Sequence, residues 1–425
     1  MNMIQNIIIE NFLSIKKKLE INFEATATKS HNESVINLDN SKYLKTIAIY
    51  GPNASGKTNI LKALDYMKWL ILNSYNFNEG VKTGRIPFKL DKNSRNKPTY
   101  FEINFFIKKI KYNYSFKLDD EKIIEENLNY YPKGKITLIF SRNINSEEEF
   151  KFNHEDKATL QKIRVRPNQL FLSKATYENY KKTEEVYKFF RENIVNGLKN
   201  EKGLNYTLRL IEINPKIKDM YLEFLQKADF SIDEIIFEKK KRKVNGFEFK
   251  IDKNNPVMNS LPEQEEDYYE LFLSHRNKDE NSNYNLGFNE ESDGTKVFFS
   301  LLGPILNILE NNKILIVDEL EASLHPELTS LIIEIFNNSK SRSQLLFTTH
   351  DTNVLSPELF RKDQIYFTNR TNNETDCFSL YDFGDVREGA DYEKQYLDGK
   401  YGAVPTIDKR IISLIKQWQE KVIRD

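Results

Sequence analysis

A single cysteine, Cys377, stands among 425 residues. The chain therefore cannot close an internal disulfide, and no zinc ribbon can be built from it. Neither sign of charge is in excess, since 63 basic residues stand against 63 acidic ones. That balance excludes a protein that coats nucleic acid by bulk charge, although it allows a local basic face. No run of about eighteen apolar residues occurs, so nothing reads as a membrane-spanning helix. The opening Met1-Asn2-Met3-Ile4-Gln5-Asn6 lacks the charged and apolar regions of a signal peptide, and a cytoplasmic protein without a membrane partner is expected. Internal repeats and long low-complexity tracts are also missing. Aromatic residues, by contrast, are plentiful. The 29 Phe and 22 Tyr supply apolar area for a large core, or for a head carrying an insertion.

The stretch that organises the rest is Gly51-Pro52-Asn53-Ala54-Ser55-Gly56-Lys57-Thr58, two glycines followed by Lys and Thr in the P-loop pattern. A short apolar run, Leu44 to Tyr50, precedes it as a buried strand should. Beyond it, Ile60, Leu61, Ala63, Leu64, Met67 and Leu70-Ile71 recur at helical spacing. A loop between strand and helix is the context the motif needs. Glycines let successive N–H groups wrap a phosphate, and the positive end of the helix points at the same anion. Asn53, Ala54, Ser55, Gly56, Lys57, Thr58 and Asn59 are the candidate ATP-binding residues. Lys57 is placed to reach the β- and γ-phosphates, and the Thr58 hydroxyl to hold Mg²⁺.

Before this loop, Ile7 to Phe12 and Leu19 to Phe23 read as two strands, and Ala27 to Lys42 as a polar loop. After it, Thr99 to Ile107, Tyr112 to Phe116 and Ile136 to Phe140 form an antiparallel meander. Its Tyr and Phe residues fit either a half-buried sheet face or a surface for stacking bases. From Ala175 to about Phe230 the pattern becomes helical and charged. Val186, Phe189-Phe190, Ile194 and Leu198 mark one group, and Tyr221, Leu222, Phe224 and Leu225 another, with Pro215 between them. An inserted helical arm is expected there, packing on itself, on the head or on a partner. The run Lys239 to Lys243 lies between two strand patterns and reads as an exposed hairpin, with a phosphate-binding patch as the other use. The division is 1–174 and 233–425 for two parts of one head, with 175–232 inserted.

A second set of site residues follows. Lys313-Ile314-Leu315-Ile316-Val317-Asp318-Glu319 is an apolar strand ending in two carboxylates. Asp318 is the candidate Mg²⁺ ligand beside Thr58, and Glu319 the general base that polarises the attacking water. Leu345 to Thr349 is another buried strand, and it ends in His350. That imidazole is either structural or in reach of a γ-phosphate at the carboxyl edge of the sheet. Glu291-Ser292-Asp293-Gly294-Thr295-Lys296 precedes a long apolar helix. Ser292 fits an N-cap, and the segment reads either as a capped turn or as a second phosphate grip.

In order, the P-loop, Ser292 to Thr295, Asp318-Glu319, Ser323-Leu324-His325-Pro326 and His350 resemble the ABC-type ATPase heads of the SMC, RecF and OLD proteins. The opening Ile9 to Ile15 also looks like the first strand of these heads. The resemblance implies an α/β P-loop NTPase with a mixed sheet, an antiparallel lobe and a helical insertion. It makes Ser292, Gly294 and Thr295 the signature segment, which grips the ATP of a second copy. It also puts Ser323 and Leu324 in the D-loop and makes His350 the switch. A homodimer or higher homo-oligomer closing on ATP and Mg²⁺ is thereby implied, with Glu319 and His350 catalytic. Size and the tail Tyr401 to Pro405 are similar to stand-alone ATPases of bacterial abortive-infection systems, of the AbiL, RloA and PARIS AriA kind. That likeness implies an ATPase acting as sensor or scaffold for a separate effector encoded nearby. A RecF-like ATPase that binds DNA directly is the alternative.

The sequence also departs from the pattern. No Q-loop glutamine follows the P-loop helix at a fitting place, Gln169 being a stray candidate. The signature lacks the Leu and second Gly of transporters, which speaks against a transporter subunit. OLD-type nucleases continue into a Toprim domain, but no such acid pair is evident in the 75 residues after His350. Asp382, Asp385 and Asp391 read as loop caps, so no nuclease site is assigned.

Overall fold

The computed structural model describes residues 2–197, 201–228, 230–244, 247–252, 255–260, 264–277, 282–404 and 409–422. A six-stranded sheet carries the P-loop. Its order is Ile194–Asn196, Ile314–Val317, Gln344–Thr348, Thr46–Tyr50, Ile365–Thr371 and Glu374–Ser379. The first five strands run parallel, and the last folds back as a hairpin. Ile314–Val317, Gln344–Thr348 and Thr46–Tyr50 are buried along their whole length. Both faces of this sheet are covered, which is why the sequence shows apolar runs here and not alternation.

A second sheet of seven antiparallel strands faces it. Thr99–Ile107, Ile110–Leu118, Ile123–Tyr131 and Thr137–Asn143 continue as a meander beside Asn2–Glu10. The alternation in Thr99–Ile107 buries Phe101, Ile103 and Phe105 on one face. Between the sheets lies the P-loop helix, Lys57–Asn73, which buries Ile60, Leu61, Ala63, Leu64, Met67, Leu70 and Ile71. Each large side chain so buried is worth about 1.5–3 kcal/mol. The mouth of the P-loop is thus fixed from both sides. The meander aromatics Tyr112, Tyr114 and Phe116 are buried too, which removes those three from the base-stacking alternative.

Two expectations change, and a third, left open among alternatives, is narrowed. The polar stretch from Ala27 to Lys42 holds most of a small hairpin, Val35–Leu38 with Ser41–Leu44, because Val35, Ile36 and Leu38 find buried places. The 175–232 segment divides between two cores. Val186, Phe189, Phe190 and Ile194 join the core beneath the P-loop helix, whereas Leu208, Ile211, Tyr221 and Leu225 pack in the core of the signature helix. Helix Lys181–Lys188 gives way to a wider turn, and Ile194 opens an edge strand beside Ile314–Val317. Leu198 lies outside the described residues. Helices Glu201–Ile213 and Pro215–Lys227, separated at Pro215, pack on the head. Tyr221 Oη donates to the Phe299 carbonyl and accepts from Gly303 N.

Lys239 to Lys243 also sits otherwise than expected. These residues lie inside strand Glu234–Val244, paired along its length with Gln264–Asn277. Lys239 reaches diagonally across to Asp267 at 3.0 Å and Lys241 to Glu265 at 3.2 Å, and Lys240 pairs with Glu270. The acids of Gln264–Asn277 make this a cross-strand charge ladder. Gln169 is likewise spent on structure, donating to the Tyr75 and Phe77 carbonyls. Asp382 and Asp391 cap turns as expected, and Asp385 instead pairs with Lys400. In the tail, Tyr401 stacks on Phe367 at 4.8 Å, while Pro405 lies outside the described residues.

Candidate functional site

The parallel strands end together, and the candidate residues meet at that edge. Thr46–Tyr50 delivers the P-loop, Ile314–Val317 delivers Asp318 and Glu319, and Gln344–Thr348 delivers His350. Gly51 and Gly56 are held at φ 153° and 105°, conformations that L side chains rarely adopt. A Cβ on Gly56 would lie 1.9 Å from Thr375 Oγ1, so no larger residue fits. Below the loop runs a chain of hydroxyls. Ser55 Oγ is 2.6 Å from Thr368 Oγ1, Thr375 Oγ1 donates to the Ser55 carbonyl at 2.9 Å, and Ser14 Oγ is 2.7 Å from Thr375 Oγ1. Asn59 donates to Ser14 at 2.6 Å. Asn53 and Ala54 stand exposed on the rim. The N–H groups of Lys57 and Thr58 open the helix without an acceptor among the described residues.

Lys57 is only 5% exposed. Its ammonium donates to the Gly51 carbonyl at 2.7 Å, to Pro52 at 3.2 Å and to His350 Nδ1 at 3.3 Å. Burial pushes its pKa down to about 8, against the opposing pull of Glu321, Glu319 and Asp318. Because Nδ1 accepts from Lys57, the ring proton of neutral His350 belongs on Nε2. That nitrogen is 4.0 Å from Glu319 Oε1. Burial first, and the Lys57 charge second, hold the imidazole below its ordinary pKa, which keeps it neutral near pH 7.

Asp318 Oδ1 accepts from Thr58 Oγ1 at 3.2 Å and from Thr348 Oγ1 at 2.6 Å. Thr348 Oγ1 also accepts the Glu319 N–H at 2.8 Å, so one hydroxyl fixes both acids. Glu319 has φ 50°, a left-handed conformation that costs roughly 1–3 kcal/mol and is characteristic of functional positions. A hydroxyl and a carboxylate side by side are the hard oxygen donors Mg²⁺ prefers when phosphate oxygens and water complete its shell. Among the described residues no cluster of three His, Cys, Asp or Glu could hold a metal alone.

Ser292, Gly294 and Thr295 lie on another part of the head. Ser292 caps helix Asp293–Asn311, with its Oγ accepting from Thr295 N at 3.1 Å and lying 2.7 Å from Thr295 Oγ1. Gly294 rests against the carbonyl of Ser323, 3.3 Å from where a Cβ would be. Among the described residues, no hydrogen bond joins Ser292, Gly294 or Thr295 to the P-loop. Thr348, Ser14, Thr368, Thr375 and Glu321 are contributors that the motifs did not announce. For Thr348 a signal existed, a hydroxyl closing the apolar run Leu345 to Phe347. Thr368 and Thr375 come from more than 300 residues beyond the P-loop, where no local pattern marks them.

Residues 47–356 match the family described as "AAA domain, putative AbiEii toxin, Type IV TA system". No curated protein matches the chain. Among solved structures, the SMC head domain from Thermotoga maritima is 15% identical, with a TM-score of 0.38 over 88% of this chain and 98% of that one. The Smc head domain with an extended coiled coil bound to the C-terminal domain of ScpA derived from Pyrococcus furiosus is 12% identical, with a TM-score of 0.38 over 89% and 96%. An SmcHead bound to the C-winged helix domain of ScpA gives 13% and 0.37, over 88% and 97%. The mixed sheet with its antiparallel lobe is the P-loop ATPase head expected from the motifs.

Proposed function

The chain belongs to this AAA-domain family, whose model covers most of its length, and from that premise we propose that it binds and hydrolyses ATP between two copies of itself. The observation that carries the reading is the meeting of Lys57, Thr58, Asp318, Glu319 and His350 at one sheet edge. Lys57 and the open N–H groups of the first helical turn hold the phosphates. Thr58 and Asp318 hold Mg²⁺, which when bound neutralises charge on the β- and γ-oxygens. Glu319 accepts the proton of the attacking water. His350, neutral, donates from Nε2 toward the γ-phosphate.

Ser292, Gly294 and Thr295 serve the other copy's nucleotide, so each site needs two chains. The family description, with its toxin and type IV toxin–antitoxin wording, supports a place in bacterial antiviral defence. There the ATPase acts as a sensor or scaffold for a separate effector, in the manner of the abortive-infection ATPases. The rival is a RecF- or SMC-like ATPase that grips DNA itself. The pairing of Lys239, Lys240 and Lys241 with acids favours the effector reading.

Mixing two inactive variants tests the shared site. Lys57→Ala removes the cation, and Gly294→Asp sets a carboxylate against the partner's phosphate. One site of a mixed pair keeps both elements intact. ATP hydrolysis or ATP-dependent pairing should return on mixing and peak near equal proportions. If neither returns while subunit exchange is verified, each chain completes its own site. Purification with the product of the neighbouring gene, with and without ATP, tests the effector.

A further inference from the structure

Two buried polar atoms beside the site have no hydrogen-bond partner among the described residues, and their chemistry is complementary. Tyr50 Oη, at the end of the P-loop strand, is a donor without an acceptor, and Glu321 Oε2, in the loop after Asp318-Glu319, is an acceptor without a donor. Leaving either group open inside a protein is costly. The backbone brings them to one place. Thr349 N donates to the Ile49 carbonyl at 3.1 Å, which sets His350 beside Tyr50. Glu321 Oε1 accepts the His350 N–H at 2.6 Å, which draws the carboxyl group to the same corner. The Glu321 charge is felt by Tyr50, Lys57 and His350 alike. Two other carboxylates near Tyr50 are engaged. Asp351 accepts from Asn353, and Glu393 accepts from Thr352 Oγ1. The Tyr50 ring is held by Phe367 and Tyr396, so the hydroxyl has little freedom to turn elsewhere.

We infer that Tyr50 and Glu321 form one link, across a single water, that ties the P-loop strand to the loop bearing His350. Glu321 is then a positioning residue: one oxygen holds the His350 main chain, and the other is anchored to the strand that delivers the P-loop. The link sets where Nε2 stands relative to Glu319, and so acts on turnover more than on nucleotide affinity. This inference rests on the ATPase reading for its kinetic consequence, but the link itself does not.

The test compares Tyr50→Phe, Glu321→Ala, the double variant and Glu321→Gln. Without nucleotide, Tyr50→Phe should lower the melting temperature of the parent but leave that of Glu321→Ala unchanged, since the hydroxyl has already lost its partner. In ATP hydrolysis, Tyr50→Phe should lower kcat about fivefold, the worth of one hydrogen bond, with KM within about twofold. Glu321→Ala should cost more, and the double variant no more than Glu321→Ala. Glu321→Gln keeps an oxygen for His350 N and gains an N–H for the bridging water, so it should stay within about threefold of the parent. Melting shifts or kcat losses that combine in full in the double variant would overturn the link. A Glu321→Gln enzyme as impaired as Glu321→Ala would show that charge, and not positioning, is what matters. A parent that melts as described but hydrolyses no ATP would sink the ATPase reading and leave the link standing.

Discussion

Two regions of this molecule are dense in charge and treat it in opposite ways. At the carboxyl edge of the parallel sheet, Lys57, Asp318, Glu319, Glu321 and His350 crowd together, and Lys57 there is nearly buried. On the ribbon formed by Glu234–Val244 and Gln264–Asn277, lysines and acids pair diagonally across the two strands, with Lys241 and Glu265 mostly in water. Charge on the ribbon is cancelled locally and screened. At the sheet edge it is aimed by backbone carbonyls and hydroxyls into an opening. Sequence composition alone ranks the ribbon as the more basic feature. Burial reverses that ranking, because the same charge interacts several times more strongly out of water than in it.

The sharpest way to test this contrast is to remove the acid proposed to act on water. Glu319→Gln should lower kcat by about 10³-fold, since an amide cannot accept the proton, while ATP binding is retained. Single-turnover hydrolysis and calorimetry would separate the two effects, and normal turnover would mean that another residue is the base. Next in size is Lys57→Ala, which should weaken ATP binding by about a hundredfold, the loss of a charge-assisted contact in a poorly solvated place. Unchanged affinity in calorimetry would remove the P-loop from the site.

A smaller effect follows from the Lys57 pKa of about 8. Bound phosphate stabilises the ammonium and raises that pKa, so binding takes up a proton once the free lysine begins to lose its own. Affinity should therefore be level below about pH 8 and fall above it, by up to about tenfold per pH unit until the pKa of the complex is reached. Calorimetry at pH 9 in two buffers of different ionisation enthalpy would show the uptake. Affinity that rises between pH 8 and 9 would contradict the assignment.

Much of the first region was legible in the chain. Gly51 to Thr58, Asp318-Glu319 and His350 are short patterns in which strand, turn and chemistry coincide within a few residues. Their meeting follows from parallel strands ending at one edge. The ribbon was misread because Lys239 to Lys243 looks like a solvated turn until its acidic partners, some 25 residues on, are known to pair with it. The arm at 175–232 packs on the head, one of the expected alternatives, but one position in it was misread for a similar reason. Val186, Phe189, Phe190 and Ile194 keep helical spacing, yet Ile194 is claimed by the edge of the sheet, a tertiary contact that periodicity does not record. Thr375 beneath Gly56 was beyond reach altogether. Its role comes from the close approach of a C-terminal hairpin to a glycine more than 300 residues earlier.

The smallest predicted effect belongs to the ribbon. Lys241 pairs with Glu265 at 3.2 Å, and both side chains are more than half exposed. An exposed pair of this kind contributes at most about 1 kcal/mol, and salt weakens it further. Lys241→Ser should therefore shift the urea midpoint by no more than that energy allows, and the shift should shrink as salt rises from 0.05 M to about 0.5 M. ATP affinity and kcat should stay within about twofold of the parent, because the ladder screens this charge from the sheet edge. The same variant also tests the rival reading. A cation that grips nucleic acid would make binding of a DNA duplex both weaker and less salt-dependent when removed. A Lys241→Ser protein with unchanged stability but a clearly flatter salt slope for DNA would turn the ribbon from a cancelled ladder into a phosphate-binding surface. Equal slopes for parent and variant, with the small salt-sensitive stability loss, would leave the contrast between the two regions as drawn.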